Sequence, residues 1–138
     1  MTGTEQPRTM LLVEDNEDDV FLMQRLLRKA NITVPVQVVT DGKQAVDYLA
    51  GADPYQDRSR YPMPDLMFLD LKLPFLHGFE VLRWIREQPH LKQLRVIVLS
   101  SSLEDKDREK AQALGAPYIV KPPSPEILVR AVAGLPLA

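Results

Sequence analysis

The chain has 138 residues, of which 45% are hydrophobic and 26% are charged, and its formal net charge is −2. This composition predicts one soluble globular domain and gives no electrostatic reason to expect binding to nucleic acid or to an anionic membrane. The absence of cysteine excludes disulfides, thiolate metal sites and a cysteine nucleophile. No apolar stretch approaches the roughly 20 residues that cross a bilayer, and no signal peptide is recognisable, so we expect a cytoplasmic protein.

Two elements are predicted in the first thirty residues. Residues 1–8 are expected to form a flexible polar tail, and the apolar run at residues 9–13 is typical of a short buried strand. Asn16 is a predicted helix N-cap, because apolar side chains recur at helical spacing after it. The acids of the first helical turn suit the helix dipole, so we interpret them as solvated helix-start residues: Glu17, Asp18 and Asp19.

Four further strand-like runs follow, and a helical pattern comes after each of them. These strands are predicted at residues 36–40, 66–69, 96–99 and 118–120. The pair Asp41-Gly42 indicates a turn before a short helix. Residues 51–64 form a proline-containing loop that is long for a compact domain, and such loops are either functional or loosely ordered.

The alternation of five strands with five helices predicts a single α/β domain over residues 9–138. Because the strands are apolar along nearly their whole length, we expect a doubly wound, five-stranded parallel sheet with helices on both faces. Right-handed connections are expected between its strands. In open sheets of this kind the carboxyl ends of the strands meet at one edge, where ligands bind.

Three acids are predicted to meet at that edge. Glu14 and Asp15 follow the first strand, and Asp70 follows the third. Carboxylates at short range repel one another, and a hard divalent cation removes this repulsion. Mg²⁺ suits the set because it takes oxygen ligands and few protein carboxylates, and no His–Cys cluster indicates a softer metal.

Two further polar groups follow the fourth and fifth strands. Ser100 supplies a hydroxyl and Lys121 an ammonium, and both groups can contact a phosphoryl oxygen. Taken alone, Ser100 is equally well interpreted as a turn serine, and Lys121 as a partner in a structural ion pair. Together with the acids they form a coherent site for phosphoryl transfer, in which an aspartate can be the nucleophile.

The motifs, in this order and at this spacing, resemble the receiver domain of two-component response regulators over about residues 9–134. They are Val13-Glu14-Asp15, Asp70-Leu71-Lys72-Leu73-Pro74 with Gly78, Ser100-Ser101, and Tyr118 with Lys121-Pro122. The resemblance implies the flavodoxin-like (βα)5 receiver fold. It also implies a single-domain response regulator that accepts a phosphoryl group in a Mg²⁺-dependent step, without being a turnover enzyme.

The resemblance assigns the phosphoacceptor and the metal ligands. Asp70 is the expected phosphoacceptor, which becomes an aspartyl-phosphate. The ligands expected for Mg²⁺ are Glu14, Asp15, Asp70 and the backbone carbonyl of Lys72. Glu14 stands where the family often has an aspartate, and it is expected to support the metal directly or through water.

The resemblance also assigns the groups that respond to the phosphoryl group. Ser100 and Lys121 are expected to contact it, and Tyr118 is the expected switch aromatic, which rotates inward. Lys72 and Ser102 occupy positions that tune the lifetime of the phosphoryl group in the family.

Partners are implied in the same way. A sensor histidine kinase is the expected phosphoryl donor, and loop 51–64 and the acidic motifs are similar to those of regulators paired with bacterial phytochromes. A downstream protein or phosphotransfer partner is expected to receive the signal, because the last helix ends near Gly134 and leaves no effector domain behind it. A homodimer through the face of the fourth helix, fifth strand and fifth helix is a further expectation. Pro123 departs from the family pattern and is expected to stiffen the lysine loop.

Two alternatives stay open beside this interpretation. A Mg²⁺-dependent phosphatase of the haloacid-dehalogenase type also forms an aspartyl-phosphate at a strand end. That class carries a second aspartate two residues after its nucleophile, and Lys72 occupies that position here. The other alternative is a receiver-like scaffold that is never phosphorylated, which the complete acceptor set disfavours.

Overall fold

The computed structural model describes residues 7–137, which form five strands and five α-helices in strict alternation. The strands are Met10–Val13 (β1), Val36–Val39 (β2), Leu66–Leu69 (β3), Arg95–Ser100 (β4) and Tyr118–Val120 (β5). The α-helices are Glu17–Lys29 (α1), Gly42–Ala50 (α2), Gly78–Glu87 (α3), Asp105–Ala113 (α4) and Pro125–Ala133 (α5), and a 3₁₀ turn at Pro89–Leu91 follows α3. In the described part of the chain, no helix is both long and apolar enough to cross a membrane.

The start of the described chain packs against the domain. Residues 1–6 of the predicted tail lie outside the described residues, but Pro7 is buried. The backbone N–H of Arg8 donates a hydrogen bond to the Asp65 carboxylate over 2.8 Å. Pro7 and the backbone of Arg8 therefore contact the domain, while the Arg8 side chain is exposed.

The five strands form one parallel sheet with the order β2-β1-β3-β4-β5, which confirms the predicted doubly wound fold. After β1 the chain builds outward to β2, and it then crosses back to the other side of β1 with β3. The loops that follow β1 and β3 therefore diverge and leave a crevice at the carboxyl edge of the sheet. Glu14 and Asp15 lie on one side of this crevice, and Asp70 lies on the other.

Two hydrophobic cores hold the helices against the sheet. Successive residues of a strand point to opposite faces, so in β1 Leu11 and Val13 contact one core while Met10 and Leu12 contact the other. Helices α2, α3 and α4 cover the first core, and α1 and α5 cover the second. Because β1 and β3 are buried along their whole length, their ends are held in place by packing on both faces.

Local sequence signals explain most helix starts, and the turn signal at Asp41-Gly42 coincides with the bend between β2 and α2. Asp41 is the N-cap of α2, and its carboxylate accepts a hydrogen bond from the backbone N–H of Gln44 over 2.7 Å. Gly42 is the first helical residue, and a Cβ placed on it would lie 2.1 Å from the carbonyl oxygen of Leu76. The glycine therefore permits close packing between two segments that are distant in sequence.

Loop 51–64 is packed against α2, so it is not loosely ordered. The ring centroids of Tyr55 and Tyr61 lie 5.1 Å apart, and each ring also contacts Tyr48 of α2. The Tyr48 hydroxyl donates to the Pro62 carbonyl over 2.8 Å. The Arg58 guanidinium donates to one carbonyl in α2 and to one carbonyl within the loop, which ties the loop to the helix.

Gly78 lies where α3 begins, beside the end of β3, and we expect Gly78→Ala to destabilise the fold. A Cβ at this position would lie 2.3 Å from the Asp70 carbonyl oxygen and 2.7 Å from the Leu71 Cα, both rigid backbone atoms. Overpacking of this kind costs about 1–3 kcal/mol, and urea denaturation would measure it as a lower free energy of unfolding. The exposed Arg83→Ala in the same helix is the control, with an expected change below about 0.5 kcal/mol. An alanine at position 78 with wild-type stability would contradict this contact.

Candidate functional site

Three carboxylates meet at the carboxyl edge of the sheet, as the sequence predicts. One oxygen each of Glu14, Asp15 and Asp70 lies within 4.8 Å of the others. Glu14 and Asp70 are buried, whereas Asp15 is exposed. A hard divalent cation suits such a set of oxygen donors, and the exposed side of the cluster leaves space for the waters that Mg²⁺ or Mn²⁺ retains.

The Asp70 carboxylate is buried and held by hydrogen bonds at both oxygens. Its Oδ1 accepts from the backbone N–H of Leu71 over 2.7 Å, and its Oδ2 lies 3.1 Å from the Lys121 Nζ. The residue as a whole is 8% exposed. Asp70 is thus oriented by the backbone and by a cation, while it still meets solvent at the edge of the sheet.

Lys121 is the centre of an ion-pair network. Its Nζ lies 2.5 Å from Glu14 Oε1, 3.0 Å from Asp19 Oδ2 and 3.1 Å from Asp70 Oδ2. Burial lowers the pKa of Lys121, but its hydrogen bonds to these carboxylates outweigh burial and raise the pKa above its ordinary value. The ammonium is therefore charged at neutral pH and bridges the ends of β1, β3 and β5.

Glu14 is a buried carboxylate that lies beside both Lys121 and Asp70. Burial raises the pKa of Glu14, the hydrogen bond from Lys121 opposes this rise, and the charge of Asp70 adds to it. The second Glu14 oxygen accepts from the backbone N–H of Asn16 over 3.2 Å. Burial and the charge of Asp70 thus make the ionised form of Glu14 costly, and a bound cation would lower that cost.

Asp19 belongs to the site, which corrects its interpretation as a solvated helix-start residue. Its carboxylate contacts Lys121, and its side chain is only 39% exposed, whereas Glu17 and Asp18 are exposed as predicted. Asp19 lies four residues before Met23, which is buried against the sheet. The i, i+4 spacing places both on the inner face of α1, and this spacing is the sequence signal that identifies Asp19.

The predicted switch residues are connected to one another through the loop between β4 and α4. Ser100 is buried at the end of β4, and its Oγ accepts from the backbone N–H of Ser102 over 3.2 Å. The Tyr118 ring is half-buried beneath the Arg108 guanidinium, and its hydroxyl donates to the Ser102 carbonyl over 2.8 Å. The Ser102 hydroxyl donates to the Asp107 carboxylate over 2.7 Å. Lys72 is exposed two residues after the strand-end aspartate.

The order of strand-end groups and the fold around them coincide with one protein family. Residues 10–133, nearly the whole described chain, match the response regulator receiver domain. The chain belongs to this family. This assignment confirms the receiver fold and the response-regulator function predicted from the motifs.

Two curated relatives show how far the similarity of this receiver extends. The probable methanogenesis regulatory protein FilR2 of Methanothrix harundinacea is 35% identical over 129 residues, which is 93% of this chain and 81% of that protein. The response regulator Rcp1 of Synechocystis sp. is 37% identical over 101 residues, which is 73% of this chain and 67% of that protein.

Solved structures of response regulators superpose closely on this receiver. The bacteriophytochrome response regulator RtBRR has a TM-score of 0.81 at 38% identity, with 93% of this chain and 77% of that chain covered. The phosphorylated cyanobacterial phytochrome response regulator RcpA has a TM-score of 0.74 at 40% identity, with 92% of this chain and 89% of that chain covered. The Mn²⁺-bound form of Rcp1 has a TM-score of 0.76 at 33% identity, with 92% of this chain and 90% of that chain covered.

Proposed function

We propose that this receiver accepts one phosphoryl group on Asp70 from a sensor histidine kinase, in a step that requires Mg²⁺. The observation that carries the proposal is the position of the Lys121 Nζ, 3.1 Å from Asp70 Oδ2 at the edge where Glu14 and Asp15 also meet. A buried carboxylate that is reachable from solvent, with a cation beside it, is the arrangement that a phosphoryl acceptor needs.

The chain's own groups act on the carboxylate and on the incoming phosphoryl group. A carboxylate oxygen of Asp70 forms the new bond to phosphorus while the bond between phosphorus and the kinase histidine nitrogen breaks, so phosphoryl transfer needs no further reactant. Lys121 exchanges part of its contact with Asp70 for a phosphoryl oxygen, and it offsets the developing charge. The Ser100 hydroxyl donates to another phosphoryl oxygen.

A divalent cation fits the acids that surround the phosphoacceptor. Lys121 pairs with three carboxylates, and Asp15 adds a fourth negative charge on the exposed side. We propose that Glu14, Asp15, Asp70 and the backbone carbonyl of Lys72 hold Mg²⁺. When bound, the ion would offset charge on the phosphoryl oxygens. The Mn²⁺-bound Rcp1 structure supports a divalent ion in a similar receiver.

Incubation with acetyl phosphate tests this function directly. With Mg²⁺ present, intact mass spectrometry should show the addition of one phosphoryl group per chain, and EDTA should prevent it. Sustained release of phosphate from diverse phosphomonoesters would instead support the phosphatase alternative. Absence of any adduct with both acetyl phosphate and a kinase panel would support an unphosphorylated scaffold.

The proposed phosphoryl donor is a bacterial phytochrome kinase. Support comes from the similarity to RtBRR and RcpA, which are described as response regulators of bacteriophytochrome and cyanobacterial phytochrome. Phosphotransfer profiling against a panel of purified histidine kinases tests this pairing. The phytochrome kinase should transfer its phosphoryl group faster than the other kinases, and equal rates across the panel would contradict the pairing.

Output is proposed to pass through a downstream protein or phosphotransfer partner, and through a homodimer on the face of α4, β5 and α5. This face contains an open groove of about 690 Å³, lined by Tyr118, Ile127 and Leu137 among others. Because Tyr118 lies in the groove, a change at the phosphoryl site can alter this surface. Light scattering on the phosphorylated and unphosphorylated chain measures whether the mass changes with phosphorylation.

A further inference from the structure

Ser102 is the residue at which the parts of the predicted switch meet. Its N–H donates to Ser100 Oγ over 3.2 Å, and its carbonyl accepts from the Tyr118 hydroxyl over 2.8 Å. Its hydroxyl donates to Asp107 Oδ2 over 2.7 Å and accepts from the backbone N–H of Glu104 over 3.3 Å. The switch hydroxyl, the switch aromatic and the first turn of α4 are therefore joined through one loop residue.

The bond to Asp107 fixes the Ser102 side chain. A hydroxyl has a single proton, so a Ser102 hydroxyl that donates to Asp107 has no proton left for another acceptor. The acceptor is a carboxylate, which makes this hydrogen bond stronger than one between neutral groups. Asp107 is half-buried in the first turn of α4, where its side chain loses less freedom than a fully exposed acid would.

Helix α4 has few other attachments to the domain at its start. Its N-cap residue, Glu104, makes no side-chain capping bond, and Ala111 is its one buried residue. The Arg108 guanidinium lies 5.1 Å above the centroid of the Tyr118 ring. The Ser102–Asp107 bond and this cation–π contact thus tie the first turns of α4 to the loop and to β5.

The same arrangement orients Ser100. Because the Ser100 oxygen accepts from the N–H of Ser102, one of its lone pairs is occupied, and its proton remains available to donate. A donor is what a phosphoryl oxygen requires. The conformation of the loop therefore decides both the orientation of the Ser100 hydroxyl and the availability of the carbonyl that holds Tyr118.

We propose that Asp107 is a positioning residue for the phosphoryl switch, acting through the Ser102 hydroxyl. It holds the loop between β4 and α4 in the conformation that accepts the Tyr118 hydroxyl and orients Ser100 as a donor. This proposal rests on the proposed phosphoacceptor function and deepens it. Removal of Asp107 loosens the loop between β4 and α4. The loop then loses more conformational freedom when it becomes ordered around a bound phosphoryl group, so binding is weaker.

The test uses the full chain and beryllium trifluoride with Mg²⁺ as the phosphoryl analogue, with binding followed by amide NMR shifts. Asp107→Ala is expected to weaken the apparent affinity about three- to tenfold, and Ser102→Ala by a similar factor. The double variant should be no weaker than Ser102→Ala, because Ser102→Ala already removes the bond to Asp107 together with the bond from the Glu104 N–H. Asp107→Asn retains an acceptor oxygen and should bind within about twofold of wild type.

Asp105→Ala is the matched control, because Asp105 is an exposed acid in the same helical turn. It should bind the analogue like wild type. Three results would each overturn the positioning role. The first is wild-type affinity for Asp107→Ala, and the second is a loss in the double variant that equals the sum of the single losses. The third is an Asp107→Asn variant that binds as weakly as Asp107→Ala. Should Asp107→Ala fail to fold, Asp107→Leu replaces it, because leucine keeps a side chain of similar volume but accepts no hydrogen bond, and wild-type affinity for that variant would overturn the role. If wild type and Asp105→Ala bind no analogue, the phosphoacceptor function itself fails.

Discussion

Asp70→Asn is expected to remove phosphoryl incorporation completely. The amide has nearly the shape of the carboxylate and can still accept from the Leu71 N–H, but its oxygen is a far weaker nucleophile. After incubation with acetyl phosphate and Mg²⁺, intact mass spectrometry should therefore show only the unmodified chain. The wild-type chain under the same conditions should carry one phosphoryl group.

The matched control for this substitution is Asp65→Asn. Asp65 is exposed just before the same strand, and its carboxylate accepts from the backbone N–H of Arg8, a bond that an asparagine oxygen can keep. This variant should be phosphorylated like wild type. A phosphoryl adduct that persists in Asp70→Asn would place the acceptor elsewhere, and peptide mapping of that adduct would then identify the residue that carries it.

The sheet and the strand-end acids are predictable because they depend on local patterns. The runs Met10–Val13 and Leu66–Leu69 are apolar throughout, and such runs are stable as strands only when both faces are covered. Once the sheet is parallel, all carboxyl ends lie at one edge, so the residues after β1, β3 and β5 share that edge. The contact between Lys121 and Asp70 also depends on the strand order, which puts one strand between β3 and β5, and on the length of the lysine side chain.

Contacts that depend on the packing of one element against another are not predictable in this way. The spacing from Met23 places Asp19 on the inner face of α1, but its contact with Lys121 depends on how α1 packs against the sheet. Gly42 carries a local turn signal, yet its role is set by the distant Leu76 carbonyl. The Ser102–Asp107 bond likewise depends on where α4 begins.

Lys121→Met is expected to destabilise the fold strongly when no divalent cation is present. The methionine fills much of the lysine stem's volume but leaves Glu14 and Asp70 buried beside each other without their cation. Breaking a buried pair costs about 3–5 kcal/mol, but the exposed side of the cluster and proton uptake by Glu14, whose pKa is already raised, reduce the cost here to about 2–3 kcal/mol. Urea denaturation in EDTA measures the loss as a lower free energy of unfolding.

Mg²⁺ and a second lysine distinguish this explanation from a general packing defect. Added Mg²⁺ should stabilise Lys121→Met more than wild type, because the ion supplies positive charge that the variant lacks. Lys43→Met removes an exposed lysine, 74% accessible and 2.7 Å from Asp47, and should cost no more than about 0.5 kcal/mol. If Lys121→Met has the same free energy of unfolding as wild type in EDTA, the Lys121 ammonium does not stabilise the buried acids. If Mg²⁺ stabilises both proteins equally, the loss arises from packing, because charge compensation predicts a larger gain in the variant.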